Sequence, residues 1–484
     1  MAWHKSLKQS IVYIPVDNIL LYFIAFVSAI ARVEREIMRS VGSKTVRRNN
    51  YKWWVVFMLW WITFFNYADR QAVFSVFPLL QKDMHLTLVE LGMVGSSFAI
   101  VYGLAAPFAG HIVDRIRRKT AILGGLYVWS AIAMATALVT SFGQLLGFRA
   151  AEGLGETFYF PASASMIGDY HGTRTRSRAL GSMITSVYVG TIAGGFFAGL
   201  IGERYGWRWA FIIFGGLGMI LGLILSRLLD EPERGAADRK DVHLESQQPA
   251  LRKTSFLEFI KLLARTPTAL FLMGAFLCAN FVAMVLLSWM PNFLYSKFHL
   301  SLAWAGLAAT VFVQLASTVG APLGGWLADI LRSHTPRGRL IIQAVGVLGG
   351  APFAWLCGFT RSFAWLVVGL IAWGFFKGIY DANIFAALFD VIHPEARGTA
   401  CGFMNMVGWL GGGGTGPVVV GFLAERYGLG TAISFTSMVY VLAGVLLILC
   451  AVFFAKADVR RMEAMVRERD LLVPSPSEAA VGLH

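Results

Sequence analysis

The chain has 484 residues, 56% of them apolar and only 14% charged, with a mean hydropathy of +0.61. Soluble domains are neither so apolar nor so charge-poor, which excludes a water-soluble enzyme or binding module. The formal charge of +14 would suggest nucleic acid in a soluble chain. Here the basic residues gather in short loops between apolar blocks, which marks topology and excludes a nucleic-acid partner.

Residues 1–50 form an N-terminal extension with three readings open. Lys5 and Lys8 lead into an apolar stretch interrupted by Pro15, Asp17 and Asn18. It reads as an extra or interfacial helix, as a cleaved signal, or as an upstream start ahead of Met38. The signal reading fits poorly, because removal would invert the loop charges that follow.

Twelve apolar blocks come next, at about 53–80, 87–112, 119–140, 142–168, 178–203, 208–229, 268–296, 301–331, 339–359, 363–391, 398–425 and 431–456. Each can cross a hydrocarbon core of roughly 30 Å. Within lipid the backbone must bond to itself, so each block reads as a helix. The expected fold is an all-α integral membrane protein with twelve transmembrane helices in two six-helix, pseudo-symmetric halves. These are residues 51–229 and 268–457, joined by a polar linker over 230–267 and followed by a tail over 458–484.

The first block carries "NYADRQ", with Asp69 and Arg70 side by side. Asp69 lies about 24 Å along the helix from Trp53, close to midplane. A charge there costs about 2.5–3.5 kcal/mol even on the most lenient scale, so it calls for a functional reason. The fourth block carries "RAAEGLGE", placing Arg149, Glu152 and Glu156 on one helix face. Gly153 and Gly155 thin that helix where a partner or a substrate would approach. The tenth block carries Lys377 and Asp381 four residues apart.

Arg149 with Glu152 and Lys377 with Asp381 have the spacing of helical ion pairs. For Arg149, ion pairing and substrate contact both stay open. The seven midplane charges are four acids against three bases, which leaves one carboxylate over. A buried carboxyl without a partner exchanges protons near neutral pH. An arginine fork fits a carboxylate or phosphate bidentately. The set suits an anionic substrate carried with protons.

The loops place Arg115, Arg117, Arg118 and Lys119, then Arg174, Arg176 and Arg178, then Arg332, Arg337 and Arg339 on one side. The other side has only Lys82, Arg204, Arg208, Lys297, Arg361 and Arg426. The expectation is a plasma (inner) membrane protein with the linker and both ends of the twelve-helix core cytoplasmic. Cys278, Cys357, Cys401 and Cys450 have no CxxC spacing, and the histidines avoid clusters. No disulfide framework, metal site or cofactor is expected beyond a proton or cation gradient. The chain has neither a phosphate-binding GxxxxGK[ST] run nor a nucleophile–base constellation, so an ATP motor and a membrane-embedded enzyme are not expected.

The halves repeat. "APFAGHIVD" matches "APLGGWLAD", aligning Pro107, Gly110 and Asp114 with Pro322, Gly325 and Asp329. "GERYG" matches "AERYG", and Asn66, His85 and Gly92 match Asn280, His299 and Gly306. Near-constant offsets of this kind indicate duplication. "GHIVDRIRRK" (110–119) resembles the loop motif of the major facilitator superfamily, with Arg117 where that family usually has Gly. The resemblance covers residues 51–457 and implies alternating access between the halves by a monomeric secondary transporter. Gly110, Asp114, Arg115, Gly325 and Asp329 are then gating residues, and Arg149 joins them as a conformational residue. Gly110 is expected to allow close helix approach, while Arg117, Arg118 and Lys119 are read as setting topology alone.

Three stretches narrow the resemblance. "NYADRQ", "RAAEGLGETFYFPA" and "SWMPNFL" look like motifs of the anion:cation symporter branch, which includes sialin-like and sugar-acid carriers. That resemblance implies Arg70 as the substrate-carboxylate residue, with Asp69 and Glu156 handling protons and Glu152 as an additional acid. Tyr67 and Asn405 would line the site with Lys377 and Asp381, and Trp409 stands where many members have a second Asn. "NIFAALFDVIHPEARGTACGFMN" is as similar to the spinster branch, which exports lipids. The function expected is proton-coupled symport of a small organic anion such as a sugar acid, with export of a lipid or other amphiphile as the alternative.

Overall fold

The structure is a computed structural model that describes residues 44–113, 115–233, 237, 261–393 and 396–472. The N-terminal readings over 1–43, the gating role given to Asp114 and most of the 230–267 linker lie outside the described residues. The chain forms two compact units, Met1–Met58 and Leu59–His484. In the smaller unit the described residues are helical from Lys44, and Trp54 packs edge-on against Phe57 at 5.5 Å.

The described residues form twelve helical spans and contain no strand. The first span runs over Lys44–Ser75 and resumes at Phe77–Met84 after a break at Val76. Pro78 explains the restart, since a first helical turn needs no partner for the missing N–H. The second and third are Leu88–Val113 and Arg118–Thr136. The fourth is Phe142–Thr157 continued by Tyr159–Tyr170, and the fifth and sixth are Thr173–Tyr205 and Trp207–Leu228. The second half begins with Pro267–Phe298, Leu302–His334 and Gly338–Phe359. The tenth span is Phe363–Asp381 with Ile384–Phe389, and the eleventh is Arg397–Val407 with Gly414–Tyr427 around a π-helical stretch at Gly408–Gly413. The twelfth, Leu429–Leu449, continues through a second π-helical stretch into Ala455–Leu472.

Nine spans are long and apolar enough to cross a membrane by those criteria alone. The first, third and fourth fall short. The first and fourth hold five of the seven midplane charges, and the third is short and begins on Arg118 and Lys119.

The duplication is visible in the backbone. His85 and His299 each end a helix in the left-handed region at φ 52°. Gly206 and Gly428, the last residues of the two "ERYG" repeats, turn the chain at φ 92° and 83°, where a side chain would be strained.

The bundle's basic end, which bears Arg115–Lys119 and Arg332–Arg339, also repeats. Arg118 pairs with Asp169 at 3.0 Å, and Arg339 pairs with Asp390 at 2.6 Å. Arg118 is therefore more than a topology residue: it is buried, and its Nε also donates to Ser165. Spacing within one loop did not reveal its partners on distant segments. Glu231 accepts from the backbone N–H groups of Arg118 and Lys119 at 2.8 and 2.7 Å, a carboxylate at a helix N-terminus. Asp329 accepts from Arg339 at 3.1 Å, whereas Arg115 is exposed. The close helix approach expected at Gly110 is not made: the space beside it, and beside Gly325, is open. Neither glycine meets the opposite half among the described residues.

At the far end the halves meet through the repeated glycines. A Cβ on Gly92 would strike the Pro417 carbonyl oxygen at 2.4 Å, and one on Gly306 would strike that of Gly195 at 1.9 Å. The second span thus packs on the eleventh and the eighth on the fifth. Across the same end, Val89 N–H donates to Glu425 and Gln71 donates to the Leu287 carbonyl, each bond joining one half to the other. Gly306→Ala is expected to disfavour this closure, because the obstructing atom is backbone. In a background without the native cysteines, a cysteine at Thr310 should then label several-fold faster with an impermeant maleimide added from the far end. Unchanged labelling would show that the glycine pair does not hold the closure.

Candidate functional site

Helix packing delivers the midplane charges to one place. Gly190 and Gly194 of the fifth span lie on the first-span backbone at Phe64 and Ala68, where a Cβ would come within 2.4 and 2.2 Å of the carbonyl oxygens. Gly153 brings the fourth span equally close to the Phe98 carbonyl oxygen, at 2.6 Å, and Gly155 faces Val128 and Trp129 of the third span. The two glycines of "EGLGE" therefore make room for neighbouring helices. Tyr159 ties the fourth span to the first by donating to the Leu59 carbonyl at 2.7 Å, with Thr63 also 2.7 Å from its hydroxyl.

Five charged side chains meet between these helices. Asp69, Arg149, Glu152 and Glu156 are at most 3% exposed. Carboxylate oxygens of Asp69, Glu152 and Glu156 all lie within 4.8 Å of one another. Arg149 pairs with Glu152, so the helical-pair reading of Arg149 holds, and Arg70 pairs with Glu156 across two spans. Asp69 has no arginine of its own and lies beside the carboxylates of Glu152 and Glu156. Carboxylates packed this closely repel one another when both are ionised. Asp69 Oδ1, Glu152 Oε1, Glu156 Oε1 and Arg70 Nη1 are buried with no hydrogen-bond partner. Three carboxylate oxygens at this spacing have the number of ligands a small cation needs, yet two of those acids already carry an arginine that a metal would have to displace.

Arg70 sits among four rings. Its guanidinium carbon is 4.8 Å from the ring centroids of Tyr67, Phe98 and Tyr102, and 5.5 Å from that of Trp409. These are cation–π distances. Trp409 arrives from the other half on the π-helical stretch Gly408–Gly413, and its ring is 5.0 Å from that of Tyr102. Sequence reasoning missed Phe98 and Tyr102, and it treated Trp409 only as a departure from a pattern. The available signal was "GWLGGGG", a run of glycines that loosens a helix beside a large ring; π-turns of this kind recur at functional sites.

Asn405 is half-buried one helical turn before Trp409, on the same face. Lys377 and Asp381 pair with each other, partly exposed, and Tyr188 of the fifth span lies near enough to feel both charges. The expected substrate residues thus fall into two groups: Tyr67, Arg70 and the Asn405 face around the ring cluster, and Lys377 with Asp381 as a separate pair.

The family model described as Major Facilitator Superfamily matches residues 59–413 and 293–473. The chain is 25% identical over 450 residues to the "Probable galactarate/D-glucarate transporter GudP" of Escherichia coli (strain K12), covering 88% of this chain and 98% of that protein. It is 28% identical over 397 residues to "Protein spinster homolog 1" of Homo sapiens, covering 77% of this chain and 73% of the relative. Among solved structures, a bacterial homologue of the human lysosomal transporter spinster, in an inward-facing and unoccupied conformation, superposes with a TM-score of 0.72. That match has 22% identity and covers 87% of this chain and 99% of the other.

Proposed function

The chain belongs to the Major Facilitator Superfamily, and on that premise we propose that it moves a small organic anion together with protons by alternating access. It is an integral, multi-pass membrane transporter and not an enzyme. The observation that carries the finer reading is the Asp69–Arg70–Arg149–Glu152–Glu156 cluster, three acids against two bases and almost fully buried. A bare charge at this depth is expensive, so an unequal set implies an exchangeable proton. Arg70 is the cluster's most exposed member, and its guanidinium fork suits a carboxylate. The printed name of the 25% identical relative, a galactarate/D-glucarate transporter, supports an acidic substrate.

In this reading the basic end faces the cytoplasm of a cell with the transporter in its plasma membrane. The conformation is then closed outside and open inside, and a monomer suffices. Gly110, Arg115, Gly325 and Asp329 belong to the closure of the open end. A second reading, movement of an amphiphile with an anionic head, draws on the ring cluster around Arg70 and on the spinster relatives.

Uptake into proteoliposomes tests both. Aldarates such as glucarate, simpler carboxylates and lysolipids are offered with and without an inward proton gradient. Carboxylate uptake raised about tenfold or more by the gradient is expected. Uptake indifferent to the gradient would remove the proton coupling, and movement of lysolipid alone would establish the second reading.

A further inference from the structure

The surroundings of Arg70 carry more information than its charge. Besides Glu156, its guanidinium is faced by the rings of Tyr67, Phe98, Tyr102 and Trp409. Phe98 and Tyr102 are stacked at 5.8 Å, and Trp409 stands at an angle to both, 6.4 and 5.0 Å away. The helix that bears Trp409 packs closely on the second span. A Cβ added to Gly103 behind it would meet Trp409 Cβ at 3.1 Å and Leu410 Cγ at 3.0 Å. Three polar side chains on the same helices are engaged elsewhere: Thr63 with Tyr159 and the Leu59 carbonyl, Gln71 with the Leu287 carbonyl, and Arg149 with Glu152.

We infer that the site selects a flat, ring-bearing carboxylate over a polyhydroxylated acid, with Trp409 as the specificity-determining side chain. This rests on the reading of Arg70 as the residue that grips the anion. A carboxylate bonded to the Arg70 guanidinium places the body of the ligand against the rings. An aromatic body gains there from edge and offset-stacked contacts at centroid distances of about 4.5–7 Å. A hydroxyl-rich body loses its water to surfaces that return few hydrogen bonds, and each uncompensated hydroxyl weakens binding by roughly tenfold. Because Trp409 belongs to one half and Arg70 to the other, a ring between them touches both bodies that must rock during transport.

Calorimetric titration of the full chain in lipid nanodiscs tests this, with phenylacetate, glucarate and decanoate as probes. Phenylacetate is expected to bind at least ~10-fold more tightly than glucarate. Trp409→Gln, which exchanges the ring for a donor and an acceptor, should reduce that preference at least ~10-fold, and Trp409→Phe should retain most of it. The second variant guards against a fold defect in the first, and both are checked for monodispersity. Equal or tighter binding of glucarate, no measurable phenylacetate binding, a preference for decanoate over phenylacetate, or a preference unmoved in Trp409→Gln would each overturn the inference. Tight glucarate binding that disappears in Arg70→Lys would overturn it while leaving the anion reading intact. Binding of all probes unaffected by Arg70→Lys would remove the anion reading itself.

Discussion

Glu156→Gln is expected to reduce proton-gradient-driven uptake by at least ~10-fold while sparing exchange of substrate across the membrane. The glutamine keeps an oxygen for the Arg70 guanidinium, so the contact between the first and fourth spans survives in part. What is lost is a group that changes charge. Without it the cluster can no longer alternate between a state in which Arg70 is held by an ionised Glu156 and one in which it is released to the substrate. Exchange needs only the loaded carrier to rock back and forth, so it continues. The measurement compares concentrative uptake with counterflow in the same proteoliposomes. Concentrative uptake at the native rate would remove Glu156 as the essential proton site and shift attention to Asp69, which lies beside the carboxylates of Glu152 and Glu156 and has no arginine of its own.

Arg70→Lys should weaken carboxylate binding by roughly 10- to 100-fold with little change in folding. Lysine preserves the positive charge that Glu156 requires. It cannot, however, bond Glu156 through one nitrogen while offering another, in plane, to a ligand. It also loses the flat face that lies among Tyr67, Phe98, Tyr102 and Trp409. The readout is the substrate concentration for half-maximal uptake. An unchanged value would place the anion elsewhere, and the Lys377–Asp381 pair of the other half would be the next position to test.

Much of this architecture is legible in the linear chain because its causes are local or periodic. Hydropathy marks the spans, since bilayer thickness sets helix length. The repeat needs only residue identity, and it correctly pairs His85 with His299 and Gly92 with Gly306, residues whose backbone angles and cross-half contacts agree in the structure. Ion pairs within one helix, Arg149–Glu152 and Lys377–Asp381, follow from spacing alone.

Contacts between helices are a different matter, because they depend on how each helix is rotated and how deeply it sits. The sequence by itself determined that Asp69, Arg70, Glu152 and Glu156 lie within the membrane, and that so many charges there need a reason. Only the tertiary structure decided that Arg70 bonds Glu156, that Arg118 reaches Asp169, and that Gly110 stands open while Gly306 is closed. It alone brought Trp409 over Arg70, from more than three hundred positions along the chain. Spacing along a helix defines a face, whereas the neighbour that face meets is chosen by packing across the bundle.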